Sequence, residues 1–297
     1  MYPDKAITVG KFEALHLGHK LLIESTMQYA RKNNLASGVL SFVPHPVRVL
    51  YDTSYNPMYS KEEQAFLIDE YGIDEWIPYP FDRDFAAWTP QQFCEMLKEK
   101  LSCRAIFVGE DFQFGSNREG TQEALKAIGK QLGINVITIS NIINPFDESQ
   151  KVSTSLIREY LTNGKVEEAN RLLGRPFLVM GTVTGGRQLG RTIGFPTANV
   201  YPAQNKLLPP NGVYVAGITV KGRKVTGVTN IGTNPTVTGY QDRRVEVHIF
   251  DFDEDIYGKD ILVELYSFIR PEQTFKNIKE LSKQIAKDSA KARGFFV

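Results

Sequence analysis

The chain has 297 residues, 42% of them hydrophobic and 23% charged, an ordinary globular composition with material for two domains. A formal net charge of +1 excludes recognition of nucleic acid or an anionic membrane through bulk charge, so any phosphate must be bound locally, by particular loops and helix ends. The two cysteines, Cys94 and Cys103, make neither a disulfide framework nor a metal pattern, and are read as structural in a reducing compartment. The first residues lack the basic stretch and apolar run of a signal peptide. The uncharged stretch 131–146 carries Asn, Gly and Pro and is no membrane span. A soluble, cytoplasmic protein is expected.

In the first half, short apolar runs alternate with helical patterns. Residues 6–9, 37–42, 76–78, 105–108 and 136–139 read as strands. Helical patterns cover about 17–32, 61–71, 90–101 and 121–132. That alternation predicts an α/β domain with a parallel sheet covered on both faces. A helical pair follows, 155–161 and 166–173, with Asn163-Gly164 between them and Gly174 as terminator. Beyond it the runs 178–184, 212–220, 224–229, 245–251 and 261–266 are short and separated by Gly, Pro and Asn. They predict a mainly β domain, a small antiparallel barrel. A C-terminal helix follows Pro271, where Phe275, Ile278, Leu281 and Ile285 recur at helical spacing and read as a core stripe. The expected division is 1–174 and 175–297.

The first stretch that carries chemistry runs from Gly10 through Phe12 and His16-Leu17-Gly18-His19. It joins a predicted strand to a predicted helix, where parallel sheets bind ligands and where helix amides and the dipole favour phosphate. Two imidazoles three residues apart could stabilise charge on a phosphate while a nucleotide bond breaks. Taken alone the pair also fits surface or capping residues. The cluster Ser153-Thr154-Ser155, with Arg158 one turn on, is either a helix cap or a triphosphate clamp. The loop from Asp111 through Phe112, Phe114, Gly115 and Arg118 follows a strand with aromatic and glycine residues that could cradle a flat ring.

Together with Pro44-His45-Pro46, these stretches resemble the HIGH-type nucleotidyltransferases, and among them the adenylyltransferase module of bacterial bifunctional flavin synthetases. The resemblance implies a Rossmann-like fold and ATP binding by Gly10, Phe12, His16, His19, Ser153, Thr154, Ser155 and Arg158. Of these, His16, His19 and Arg158 would be catalytic, and Asp111, Phe112, Phe114, Gly115 and Arg118 would contact flavin. The family usually has Asp-Gly where this chain has Glu13-Ala14, and a basic or polar residue at Leu156. Alanine at position 14 matters if the turn there needs a positive φ.

The second stretch is Gly185-Gly186-Arg187-Gln188-Leu189-Gly190-Arg191, leading to Gly194-Phe195-Pro196-Thr197-Ala198-Asn199. It is not a Walker A sequence. On extended backbone the oxygens of Thr197 and Asn199 point to one side, and two neutral oxygens beside a phosphate loop suit Mg²⁺. In 245–250, Glu246 and His248 alternate with apolar residues, which alone describes a half-buried strand.

These segments, with Asn230-Ile231-Gly232, Pro235-Thr236, Asp255-Ile256-Tyr257-Gly258 and Phe268-Ile269-Arg270-Pro271, resemble the riboflavin kinase family over about 175–297. The resemblance implies ATP binding by Gly185, Gly190, Arg191, Thr197 and Asn199, and Mg²⁺ held by the last two. Glu246 would be the general base, Glu246 and Arg270 would contact flavin, and the C-terminal helix would close over it. The expected activity is phosphorylation of riboflavin to FMN, then adenylylation of FMN to FAD. ATP, riboflavin and FMN are the expected partners, without nucleic acid or membrane, in a monomer or weak homo-oligomer. A kinase with a disabled first domain, a non-catalytic flavin-binding regulator and a cytidylyltransferase stay open as alternatives.

Overall fold

The computed structural model describes residues 3–51, 54–116, 119–145, 147–185, 194–235 and 241–297, without the side chains of residues 234, 235, 241 and 242. The chain divides into two compact units, Met1–Pro57 with Lys61–Thr154, and Met58–Ser60 with Ser155–Val297.

The first unit holds strands β1 (Lys5–Gly10), β2 (Ala36–Val43), β3 (Glu75–Pro80), β4 (Cys103–Gly109) and β5 (Asn135–Ile139) in the order β3-β2-β1-β4-β5, each neighbouring pair parallel. Strand parity explains the two covered faces. Ile7, Val9, Ile106 and Val108 pack with Phe93, Cys94, Leu97 and Leu125, which come from α5 (Pro90–Glu99) and α6 (Gln122–Leu132). Ala6, Ala105 and Phe107 face the other way, onto Leu22 and Ala30 of α1 (Leu17–Lys32). Burial pushes the thiols of Cys94 and Cys103 up to about 12, in keeping with a structural role. The strand order reverses at β1, so the crevice beyond the ends of β1 and β4 is where such a sheet takes a ligand. Two of the helices, α2 (Pro46–Tyr51) and α4 (Arg83–Ala86), are too short to show a helical period in the sequence; α3 is Lys61–Asp69.

The second unit holds a helical pair, α7 (Thr154–Thr162), all but its first residue, and α8 (Val166–Leu173). Asn170 of α8 donates to the Leu265 carbonyl at 2.8 Å and accepts from the Phe177 amide at 2.7 Å. Six strands then close an antiparallel barrel in the order β10-β7-β6-β11-β8-β9. They are β6 (Phe177–Thr184), β7 (Ala198–Val200), β8 (Gly212–Val220), β9 (Arg223–Pro235), β10 (Gln241–Ile249) and β11 (Asp260–Pro271). The interior is apolar: Tyr214, Ala216, Ile218, Ile231, Val245, Val247, Val263 and Leu265 are all buried. The three-residue β7 pairs with both β6 and β10 and closes the barrel.

The last helix, α9, is Ile278–Phe295, capped by Asn277, so Phe275 precedes it. Its buried residues are Asp288, Ser289 and Ala292, while Ile278 is exposed. The expected core stripe is therefore corrected: Leu281 and Ile285 border a cleft rather than fill a core.

Candidate active sites

At the end of β1 the backbone takes left-handed φ values at Phe12 (46°) and Leu15 (48°). Ala14 is not among the left-handed residues, so the turn does not require glycine there. Phe12, Glu13, Ala14 and Leu15 are all buried. His16 caps α1, its Nδ1 accepting from the amides of Gly18 (3.1 Å) and His19 (3.3 Å). Both amides are thus taken by the cap rather than offered to phosphate, which corrects the expectation for this helix end. A neutral His16 that accepts at Nδ1 carries its proton on Nε2. The His16 and His19 rings stack with centroids 3.9 Å apart and planes 10° apart, and Phe12 tilts against His19 at 4.9 Å. Gly18 permits this geometry, because a Cβ there would meet the His16 ring at 3.1 Å.

Glu13 is buried and joins this loop to the one after β2. It accepts from the Tyr55 hydroxyl and lies 3.8 Å from His45 Nε2, while the His45 and Tyr55 rings stack at 4.7 Å. The longer Glu13 therefore has a defined place in the turn.

In the loop after β4, Phe114 is buried against Phe93 at 5.1 Å and Gly115 packs against Pro90. Phe112 is half-buried, stacked on Phe114 at 5.4 Å. Asp111 is exposed and paired with Lys151, which holds its carboxyl below the usual range. Ser153 and Thr154 belong to the first unit, and Ser155 and Arg158 to the second, all four at or near the start of α7. Arg118, Gly190, Arg191 and Thr236 lie outside the described residues.

On the barrel, the register of β10 brings the second set together. Glu246 stands opposite Asn199 of β7 on one side and Asn230 of β9 on the other. Directly opposed residues share a face, so two amides flank one carboxylate on the outer wall. Asn199 is only 6% exposed, and its Oδ1 has no hydrogen-bond partner among the described residues. Glu246 pairs with Arg244. His248 Nδ1 lies 2.9 Å from the Pro196 carbonyl, tying the Phe195-Pro196-Thr197 segment to β10.

Glu246 and Asn230 line a cleft of about 250 Å³ between this wall and α9, with Phe195, Thr197, Phe275 and Leu281 among its other walls. Arg270, at the end of β11, is fixed across it by Asp288 of α9, with Nε–Oδ2 of 3.0 Å and Nη2–Oδ2 of 2.8 Å. Gln284 adds a donor to Asp288 at 2.9 Å. A second pocket of about 330 Å³ opens at the barrel mouth, lined by Val183, Ala198, Val247, Phe252 and Tyr257. Thr197 lines both cavities.

Asp288 was not singled out from sequence, although it falls on the apolar face of α9, seven residues after Leu281. A lone acid on such a face is a legible signal for a buried partner. Tyr257 falls in the Asp255–Gly258 stretch that carries the resemblance, although nothing in that stretch points to a pocket wall.

Two family models match the chain: FAD synthetase over residues 2–156 and riboflavin kinase over 173–296. A bifunctional riboflavin kinase/FMN adenylyltransferase of Escherichia coli strain K12 is 38% identical over 98% of this chain and 92% of its own length. The Bacillus subtilis protein of the same description is 35% identical over 98% and 92%. A crystal structure from Streptococcus pneumoniae, called a macrolide-efflux protein, superposes with TM-score 0.88 at 31% identity, covering 99% of this chain and 95% of that one. Among the described residues here, no helix is long and apolar enough to cross a membrane. With both domains matched in order and the relatives aligned nearly end to end, this chain belongs to the bifunctional riboflavin kinase/FMN adenylyltransferase family.

Proposed function

We propose that the barrel phosphorylates riboflavin to FMN and the α/β unit adenylylates FMN to FAD, each step consuming one ATP. The outer cleft suits the flavin, with Phe195, Phe275, Leu281 and Ile285 offering apolar walls to its ring. The mouth pocket suits the nucleoside of ATP, with Phe252 and Tyr257 beside it. Thr197 stands at the rim of both, where a phosphoryl group passing between them must travel.

The donors fit a hard cation. A buried, unpartnered amide oxygen on Asn199 and the Thr197 hydroxyl would hold Mg²⁺, leaving its other positions to water and phosphate oxygens. Once bound, the ion supplies neutralisation of charge on the ATP phosphates. Glu246 takes the proton of the ribityl 5′-hydroxyl as that oxygen bonds to the γ-phosphorus. The bond from the γ-phosphorus to the bridging oxygen breaks, and ADP leaves. Arg270, held by Asp288, keeps α9 over the flavin. Gly185, Gly190 and Arg191 are assigned to the ATP phosphates.

In the α/β unit an FMN phosphate oxygen bonds to the α-phosphorus of a second ATP, and pyrophosphate leaves. Negative charge grows on the oxygens of that phosphorus, and the ring N–H groups of His16 and His19 stabilise it. Arg158 is the further cation that the motif assigns to this step, with Ser153, Thr154 and Ser155 on the triphosphate. Gly10 and Phe12 shape the nucleotide turn. Asp111 and Phe112 are assigned to FMN, with Phe114 and Gly115 fixing their loop. Only small-molecule partners are needed, in the cytoplasm.

The observation that carries the kinase reading is the row Asn199, Glu246, Asn230, aligned by strand register, with Glu246 and Asn230 lining the cleft. Its test is chromatography of the products from riboflavin and excess Mg-ATP, aerobically and with reduced flavin. FMN followed by FAD is expected. Glu246→Gln should slow FMN formation about 10²- to 10⁴-fold while supplied FMN is still converted to FAD. Full kinase activity in that variant removes Glu246 from the role. FMN alone under both conditions leaves a kinase with a silent first domain.

A further inference from the structure

Arg243 and Arg244 are neighbours in β10, so they leave the strand on opposite faces. Arg243 turns to the loop before β8, donating to Asn211 Oδ1 at 3.1 Å and to the Leu208 carbonyl at 3.0 Å. Arg244 takes the outer wall and pairs through Nη2 with Oε1 of Glu246, two residues on and on the same face. Both side chains of this pair are partly exposed, at 22% and 25%.

The surroundings of the pair show what the arginine contributes. Across β9 the residue opposite Arg244 is Gly232. The Glu272 carboxylate lies over that glycine, where a Cβ would meet it at 2.5 Å. Glu272 accepts from Asn211 at 3.1 Å and Asn230 at 3.3 Å, so its oxygens are engaged by amides. The Arg270 guanidinium, in the same cleft, is committed to Asp288. Among the described residues, Arg244 is thus the cation engaged with Glu246. A glutamate on a strand face that opens to a cleft samples many rotamers. A charged guanidinium N–H on one oxygen selects among them and leaves the second oxygen for the substrate hydroxyl.

We infer that Arg244 is a positioning residue of the kinase step, holding Glu246 Oε1 so that Oε2 is presented to the ribityl hydroxyl. The inference rests on Glu246 being the base.

The test uses the full chain, with FMN formation measured against riboflavin concentration at saturating Mg-ATP, and riboflavin binding followed by its fluorescence. Arg244→Gln should lower kcat about 10- to 100-fold, the scale of a misplaced catalytic group, with KM and riboflavin binding unchanged. Arg244→Lys should recover part of the rate, since an ammonium keeps one charged donor for the carboxylate but on a more flexible stem. In a Glu246→Gln background, Arg244→Gln should cost nothing more, because the two act as one unit. An unchanged kcat in Arg244→Gln, beside an impaired Glu246→Gln, overturns the inference and leaves the base standing. Full activity of Glu246→Gln overturns the base and the inference with it. An equal loss in both backgrounds, or loss of riboflavin binding, assigns Arg244 to the framework and also overturns the inference.

Discussion

The turn proposed for adenylyl transfer and the cleft proposed for the kinase step would solve one problem, phosphate chemistry in a nearly neutral chain, in opposite ways. At the turn, Gly10 to His19 place their own groups: left-handed residues at Phe12 and Leu15 bend the chain, and His16 caps the helix it opens. The cleft is assembled from far apart. Asn199, Asn230 and Glu246 meet only because three strands adopt one register, and α9 arrives through Arg270 and Asp288. A local site should be most sensitive to changes within the turn. A register-built site should be most sensitive to the pins that hold its walls.

The largest effect expected at the turn is that of His16→Asn. Asparagine is a good helix cap, so α1 keeps its cap while the Nε2–H donor is lost. FAD formation from supplied FMN should fall about 10²- to 10³-fold, the cost of one transition-state donor, with FMN formation unchanged. If the rate survives in His16→Asn but falls in His16→Ala, the histidine is a cap and nothing more.

At the cleft the corresponding break is Asp288→Ala. Asp288 is 4% exposed, and its loss leaves the Arg270 guanidinium without its partner, at about 3 kcal/mol for a largely buried pair. Thermal unfolding should show the barrel melting earlier, and the riboflavin KM should rise as α9 loosens. The first unit's FMN-to-FAD rate should not change. A KM unaffected by the substitution would detach α9 from flavin binding.

The same contrast governs what could be read from the sequence. The HxGH turn was legible because strand, turn and helix lie within a short span whose geometry is local. The parallel sheet and the barrel were legible from alternation and spacing. The strand β7 was not, since three residues, Ala198–Val200, carry no period, and yet it closes the barrel and seats Asn199 beside Glu246. Nor was the contact of Glu13 with Tyr55 and His45, which depends on where β2 ends. Phe114 shows a different limit: an aromatic-glycine loop has the same composition whether its ring meets a ligand or Phe93. Phe275 kept helical spacing with Leu281 but lies before the cap at Asn277, so a periodic stripe overran the helix that carries it.

A smaller effect sharpens the local half of the comparison. Gly18→Ala improves helix propensity, so α1 should not weaken. The new Cβ would stand 3.1 Å from the His16 ring, which must shift by a few tenths of an ångström out of its stack on His19. FAD formation should drop about tenfold, since misplacement of that order already slows a positioned reaction. An unchanged rate would mean that ring placement tolerates such a shift.

The smallest effect is expected at Ala14, the residue where the family pattern and this chain part. Glycine there would be needed only if the backbone were left-handed, and the left-handed residues of this turn are its neighbours Phe12 and Leu15. Ala14 is fully buried, so its methyl also fills space that a glycine would leave empty. Ala14→Gly should therefore cost about 0.5–1 kcal/mol of stability through added freedom of the unfolded chain and leave FAD formation unchanged. A faster FAD step in that variant would show that the alanine does restrain the turn, and that the conformation used in catalysis differs at this residue from the one described.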